Sequence, residues 1–336
     1  MRVDLGTEPI RRVTGLYIGR IGDVIVATPF LRALRARFPK ARLRLVVGGR
    51  AAGVLPLLPF VDETAVLDKP LRVGSHLKLA WTMLREPCDL LVDLNSSFSK
   101  TSTGLARAAR ARLRLSFDKG RGPAVFNRII PAPGEREHMS ERFARLAEAL
   151  GAPYGPDLEL KVPPADDARA EALLAGVPGW SGGAFKILIH PGNITRPPAF
   201  WPAERLTELC ARLQKDPTLR LFFLAGPGER DTVSRIAAGL PAPAPLLPAA
   251  PLSVVGGMVR RMNLLAGSLT STTHLAAALG VPTFSFYEGY TQTVWRPRGA
   301  RHGGTVSDSW SGVGSTTVDE AYAALKDHLG RLSPWV

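Results

Sequence analysis

The chain has 336 residues, 45% of them apolar, which is enough for two domains with packed cores and too apolar for a disordered chain. No run approaches the ~20 uncharged apolar residues of a membrane span, and the opening MRVDLGTEPIRRV lacks the apolar stretch of a secretory signal. The formal net charge is +14, and it is uneven: residues 1–150 hold 26 Lys/Arg against 14 Asp/Glu, residues 151–336 hold 17 against 15. Such a basic half predicts an anionic partner, whether nucleic acid, acidic lipid headgroups or a phosphorylated glycan. The two cysteines, Cys88 and Cys210, stand far apart with no metal-ligand spacing. They read as small apolar residues in a reduced, cytoplasmic setting.

In chain order, VTGLYIG (13–19) reads as a strand. TPFLRALRARF (28–38) reads as a helix, with Thr28 as cap, Pro29 at the first helical position, and Phe30, Leu31, Leu34 and Phe38 on one face. RLRLVVG (42–48) and DLLVDL (89–94) are further strands, the second followed by the polar loop NSSFSK. HMSERFARLAEALG (138–151) is an amphipathic helix ended by Gly151. A segment rich in proline and glycine, 162–185, carries one short helix and reads as a connector. The rhythm then restarts: strand KILIHPG (186–192), helix 201–214, strand and turn LRLFFLAGPGERD (219–231), a strand ending near Leu269, strand VPTFSFYEG (281–289) and a closing helix 319–332. Short apolar runs alternating with helices predict an α/β protein with two Rossmann-like parallel sheets facing a cleft. Ligands bind such sheets beyond the carboxyl ends of the strands, so the turns there are where chemistry is expected.

Four turns qualify. GRIGD (19–23) is not the dinucleotide fingerprint, because Arg20 and Ile21 occupy the space that its second glycine needs. It presents one carboxylate, Asp23, which suits either a general base or a cap for local N–H groups. HPGNITRPPAFWP (190–202) offers Asn193 and Thr195 as donors to an anion and Arg196 as a charge, or is a plain surface loop. GPGER (226–230) places Glu229 where mononucleotide folds hold a ribose diol, or as a first-turn helix acid. In GSLTSTTHLAAALGVP (267–282), Ser271, Thr272 and Thr273 precede an alanine-rich helix whose amino end suits a diphosphate, with His274 as a further donor.

In this order the segments resemble glycosyltransferase family 9, the lipopolysaccharide heptosyltransferases. The resemblance rests on IGRIGDVIVATPFLRALRARFPKARLRLVV, DLLVDLNSSFSKTSTGLARAARARLRLSFD, PGNITRPPAFWPAERLTEL, GPGERD and THLAAALGVPTFSFYEGYTQTVWRP, which span nearly the whole chain. It implies a GT-B fold, with an acceptor-binding domain over 1–162 and a nucleotide-sugar-binding domain over 163–336, the last helix able to pack back on the first domain. It implies an inverting transfer without a divalent metal, and no D-x-D motif stands at a strand end. Asp23 matches the family's catalytic base. Asn193, Thr195, Arg196, Glu229 and Thr270 through His274 match its donor site, and Gly22, Asn95, Ser96 and Lys100 its acceptor side. No cofactor is implied beyond the nucleotide-sugar co-substrate, expected to be ADP-linked. The partners implied are an anionic glycolipid or surface glycan and the inner face of the cytoplasmic membrane, not nucleic acid, and the chain is expected to be a monomer.

Two departures stand out. The family has a lysine two residues before its W-P pair, where this chain has Ala199. It has D-[S/T]-G five residues before its histidine, where this chain has Leu269, Thr270 and Ser271. Loss of a cation and a carboxylate around the donor implies either a different sugar or a GT-B protein that binds nucleotide or glycan without heptosyl transfer.

Overall fold

The computed structural model describes residues 2–67, 73–121, 123–192, 194, 196 and 199–332, excepting the side chains at 73, 75, 76 and 123. The chain divides into two compact units, Met1–Leu158 and Glu159–Val336. The sequence reading sets the division four residues later, inside the proline-rich connector.

The first unit is a sheet of six parallel strands with helices between them: β1 (Arg12–Tyr17), α1 (Ile21–Val26), α2 (Thr28–Arg37), β2 (Arg42–Gly48), β3 (Glu63–Leu67), α3 (Val73–Arg85), β4 (Cys88–Asp93), α4 (Lys100–Ala108), β5 (Ala111–Phe117), β6 (Arg128–Ile130) and α5 (Met139–Ala149). The strand order is β3-β2-β1-β4-β5-β6, and β1 runs parallel to both β2 and β4. Central strands covered on both faces must be apolar throughout, and β1 is buried from Val13 to Tyr17. Helix α2 forms over the expected span and buries Phe30, Leu31 and Leu34, but its cap is Ala27: Thr28 is its first residue, with its hydroxyl donating to the Ile25 carbonyl, and Pro29 its second. The GRIGD segment differs from expectation. It is no open turn, because helix α1 begins at Ile21.

The second unit holds α6 (Pro164–Ala175), β7 (Phe185–His190), α7 (Ala203–Leu213), β8 (Leu219–Phe223), α8 (Arg230–Ala238), α9 (Leu252–Val259), β9 (Leu264–Ser268), α10 (Ser271–Ala278), β10 (Thr283–Tyr287), α11 (Gly289–Val294), β11 (His302–Val306) and α12 (Val318–Leu332). Its five parallel strands run β11-β10-β9-β7-β8. The core gathers Ile187, Trp201, Phe223, Phe284 and Phe286. The closing helix α12 buries Ala321, Leu325 and Leu332 in this same core.

Candidate functional site

In an open parallel sheet the crevice lies where the strand order reverses. That point falls between β1 and β4 in the first unit and between β7 and β9 in the second. All the sequence-assigned residues follow these four strands, except Glu229, which follows β8 beside β7.

In the first unit, Arg20 stands before α1 with extended backbone and Asp23 sits in the first turn. The Asp23 carboxylate folds back, and its Oδ2 accepts the Arg20 N–H at 2.5 Å. A β-carbon on Gly19 would lie 2.5 Å from that oxygen, so only glycine leaves the room. Asp23 thus caps its own helix, as spacing alone allows. Its Oδ1 accepts no hydrogen bond from the described residues. Burial is the largest influence on this carboxyl and raises its pKa above the ordinary range, against the N–H and the charge of Arg20. A half-engaged carboxylate with raised basicity is a competent proton acceptor. Gly22 lies within the same first helical turn.

Tyr17 lies beneath. Burial raises its pKa well above the phenol range, the charges of Asp23 and Asp93 raise it further, and Arg142 opposes them. These three charged groups therefore face one buried phenol. Asp93 is fully buried and fully engaged. It accepts from Lys119 Nζ at 2.6 Å, Ser102 Oγ at 2.9 Å, Asn95 Nδ2 at 2.7 Å and the Asn95 N–H at 3.0 Å. Asn95 directs its amide inward and braces the β1–β4 reversal. Ser96 accepts from Arg142 Nη1 at 3.2 Å. Lys100 is exposed at the start of α4, behind the Ser99 cap. Tyr17, Lys119 and Arg142 are absent from the sequence reading. Tyr17 ends the first strand one turn from Asp23, a visible signal, whereas Lys119 and Arg142 arrive from distant elements.

In the second unit, His190 ends β7, and its Nδ1 lies 3.0 Å from the Leu224 carbonyl oxygen. Burial pushes its pKa down, with the Leu224 carbonyl and the Glu229 charge pulling the other way. Glu229 precedes α8, and its Oε2 accepts the Gly226 N–H at 2.8 Å. A β-carbon on Gly226 would lie 2.8 Å from the same oxygen. Both units therefore use one device, a glycine after the strand over which a helix-leading carboxylate folds back.

The turn after β7 packs onto the start of α10. Gly192 has φ +57°, and a β-carbon there would stand 2.5 Å from Thr270 Cγ2. Thr270 caps the helix: its hydroxyl accepts the Thr272 N–H at 3.2 Å, while its own N–H donates to Thr273 Oγ1 at 3.2 Å. Thr273 is buried and its hydroxyl donates to the Ser268 carbonyl at 3.3 Å. Thr270 and Thr273 thus build the helix end, and the half-buried Ser271 and Thr272 present it. His274 is buried, its ring 6.5 Å from that of Trp295. Asn193 and Thr195 lie outside the described residues. Arg196 is exposed. Trp201 anchors the W-P segment in the core, stacked 4.2 Å from Phe286 with its Nε1 donating to the Thr316 carbonyl at 3.0 Å.

A further carboxylate belongs to this end of the sheet. Glu288 directly follows β10, two residues past Phe286, whose partner Ser268 stands two residues before Thr270. Its carboxylate accepts no hydrogen bond from the described residues. Burial raises its pKa, and the Arg196 charge opposes that. Sequence reasoning passed over Glu288, although it stands in a turn after a strand, inside the quoted VPTFSFYEG segment.

A cavity of about 330 Å³ opens elsewhere, at the amino ends of β1, β2 and β4, lined by Arg12, Arg42, Arg44, Glu63, Glu86 and Cys88. Arg44 already pairs with Glu63 and Glu86 there. It lies at the wrong end of the strands for the chemistry. Among the described residues no group of three or more His, Cys, Asp or Glu side chains could hold a metal ion, and no helix is long and apolar enough to cross a membrane.

The family model for glycosyltransferase family 9 (heptosyltransferase) matches residues 76–317, well over half the chain, beginning after the Asp23 turn. The structure of a family 9 glycosyl transferase from Veillonella parvula superposes with a TM-score of 0.85 at 18% identity, covering 96% of this chain and 98% of that one. E. coli ADP-heptose lps heptosyltransferase II gives 0.79 at 17% identity over 95% and 99%. E. coli heptosyltransferase WaaC with ADP-2-deoxy-2-fluoro heptose gives 0.73 at 19% over 94% and 99%. No curated protein sequence matches. At such identities the structural likeness establishes the GT-B fold, and the family model establishes the family. The chain belongs to glycosyltransferase family 9, the heptosyltransferase family, and is a glycosyltransferase.

Proposed function

We propose that this chain transfers heptose or a related sugar, with inversion and without a metal ion, from a nucleoside-diphosphate donor to a lipopolysaccharide-core or other surface-glycan acceptor. The observation that carries this reading is Asp23, a carboxylate of raised pKa at the strand-order reversal, one oxygen of which accepts no hydrogen bond from the described residues. An acceptor hydroxyl gives its proton to Asp23 as its oxygen bonds to the anomeric carbon. The bond from that carbon to the diphosphate oxygen breaks, and the diphosphate leaves with the electron pair. Negative charge grows on the leaving group, where the amino end of α10 and the Arg196 guanidinium stabilise it; each such hydrogen bond is worth on the order of 1 kcal/mol, more where charged. Glu229 accepts from the ribose hydroxyls of an ADP-linked donor. Arg196 stands in for the cation absent at Ala199, and Glu288 for the carboxylate absent at Leu269. The basic first half suits an anionic glycolipid at the inner membrane face, reached by a monomer.

A donor-altered or non-catalytic GT-B protein is the second reading, favoured by Ala199 and Leu269. A panel of ADP- and other nucleotide-sugars, each with a lipid-core acceptor, separates the two through nucleoside diphosphate release. Release from ADP-heptose supports heptosyl transfer, and release from another donor alone supports an altered sugar. Nucleotide binding with no release from any donor supports the non-catalytic reading.

A further inference from the structure

Helix α3 is apolar on two opposite faces. One face buries Leu79 and Met83 in the core of the first unit. The other leaves Leu77 64% exposed, Trp81 55% and Leu84 45%. At i, i+4 and i+7 these three side chains fall within an arc of roughly 60° and form one continuous stripe. Three of the eight large apolar side chains exposed among the described residues thus sit on two turns of one helix. Scattered single exposures need no explanation, whereas a contiguous apolar stripe marks a binding surface.

The charge beside the stripe says what it binds. Lys78 and Arg85, seven residues apart, are exposed along one flank, and the segment 73–85 holds no Asp or Glu. The Arg85 guanidinium lies over the Trp81 ring, 4.2 Å from its centroid. An indole with a cation at its rim suits the boundary between acyl chains and headgroups, where the ring is half-sunk and the charge meets phosphate. The first half of the chain as a whole is basic, with 26 Lys/Arg against 14 Asp/Glu over residues 1–150.

We propose that α3 is a membrane-docking helix, lying in the plane of an anionic bilayer with Leu77, Trp81 and Leu84 in the acyl boundary and Lys78 and Arg85 among the phosphate headgroups. This deepens the membrane-surface part of the proposed function and rests on it, while the transfer chemistry is independent of it. Docking through the acceptor-side unit would hold the protein where a lipid-anchored acceptor is concentrated.

Co-sedimentation of the full chain with phosphatidylglycerol–phosphatidylcholine vesicles, and with phosphatidylcholine alone, tests the assignment. Wild type should bind the anionic vesicles preferentially. Leu77→Gln/Trp81→Gln/Leu84→Gln should bind about tenfold more weakly or worse at an unchanged melting temperature, and Lys78→Glu/Arg85→Glu should lose the preference for anionic lipid. If the triple variant does not fold, tryptophan fluorescence of wild type decides. A blue shift on vesicle addition that Trp81→Phe abolishes supports docking, and a shift that survives Trp81→Phe overturns it. Equal binding by wild type and the folded triple variant overturns the helix and leaves a membrane role standing. No binding by wild type overturns both, with nucleotide release as the separate readout of transfer. A wild-type dimer that the triple variant converts to monomer assigns the stripe to a second copy of this chain and overturns the proposal.

Discussion

Gly192→Ala probes how closely the β7 turn packs on the start of α10, the helix proposed to face the donor diphosphate. Two costs add. An alanine at φ +57° enters the left-handed region, at about 1 kcal/mol or somewhat more. Its β-carbon would also stand 2.5 Å from Thr270 Cγ2, so Thr270 must move and its cap on α10 weakens, a further ~1 kcal/mol. Gly280→Ala separates the terms, since Gly280 has φ +79° and no atom within 4 Å of its added β-carbon. Thermal unfolding of the second unit should therefore fall about 2–4 °C further for Gly192→Ala than for Gly280→Ala. Calorimetry with ADP should show weaker binding for Gly192→Ala alone. Thr270→Ser removes the struck methyl and keeps the capping hydroxyl, so Gly192→Ala/Thr270→Ser should recover most of both losses. Equal melting temperatures for the two alanine variants, or no rescue by serine, would refute the packing argument.

Three further outcomes are expected. Lys119→Met leaves the fully buried Asp93 without its cation and should cost about 3–5 kcal/mol in denaturant unfolding; a loss under ~1 kcal/mol would contradict the buried pair. Burial, with the charges of Arg301 and His328 adding, pushes His302 down to about 4. The unfolded chain protonates near ~6.5, so this stability is present above that pH and is lost as pH falls toward the folded value, roughly 3 kcal/mol in all. His302→Gln should flatten that acid limb in melting temperature against pH, and an unchanged slope would remove His302 as its cause. Glu288→Gln should lower kcat/KM for the preferred sugar by about 10–100-fold with ADP affinity unchanged, the size of a charge-assisted hydrogen bond; an unaltered donor profile would remove Glu288 from the sugar site.

Legibility in the sequence followed local pattern. The strand at 42–48 and helix α2 announce themselves because Leu43, Leu45, Val46 and Val47 give a short, partly β-branched apolar pattern ended by Gly48, and α2 carries Pro29 ahead of a stripe of buried residues. Helix α1 was hidden because it is short, preceded by Gly19, carries Gly22 in its first turn, and is capped by its own third residue instead of a preceding serine or threonine. Strand β11 was hidden by Gly303 and Gly304. A β-carbon on Gly304 would run into the Ser285 carbonyl, and one on Gly303 would lie 2.6 Å from the His328 ring. Close approach there outweighs the low strand propensity of glycine. Asp23, Glu229 and Thr270–His274 were legible as candidates because each lies where a strand hands over to the next helix. Asn95 was legible as a polar residue but not as an inward brace, since its role depends on Asp93, Lys119 and Ser102 meeting from three elements. Glu288 went unread because its place at the same end of the sheet as the start of α10 follows only from the β9–β10 register.

Asp23→Asn tests the central claim most directly. Asp23 has a folded pKa above its unfolded value, so its contribution to stability is favourable below the ordinary carboxylate range and is lost as pH rises through the raised value. At neutral pH the ionised group is a cost, and Asp23→Asn should melt no lower than wild type. Nucleoside diphosphate release, with the donor that wild type uses and its glycan acceptor, should fall about 10²–10⁴-fold, while ADP affinity is unchanged. The wild-type rate should itself decline as pH drops through the raised pKa. Release by Asp23→Asn within a few-fold of wild type would contradict Asp23 as the base.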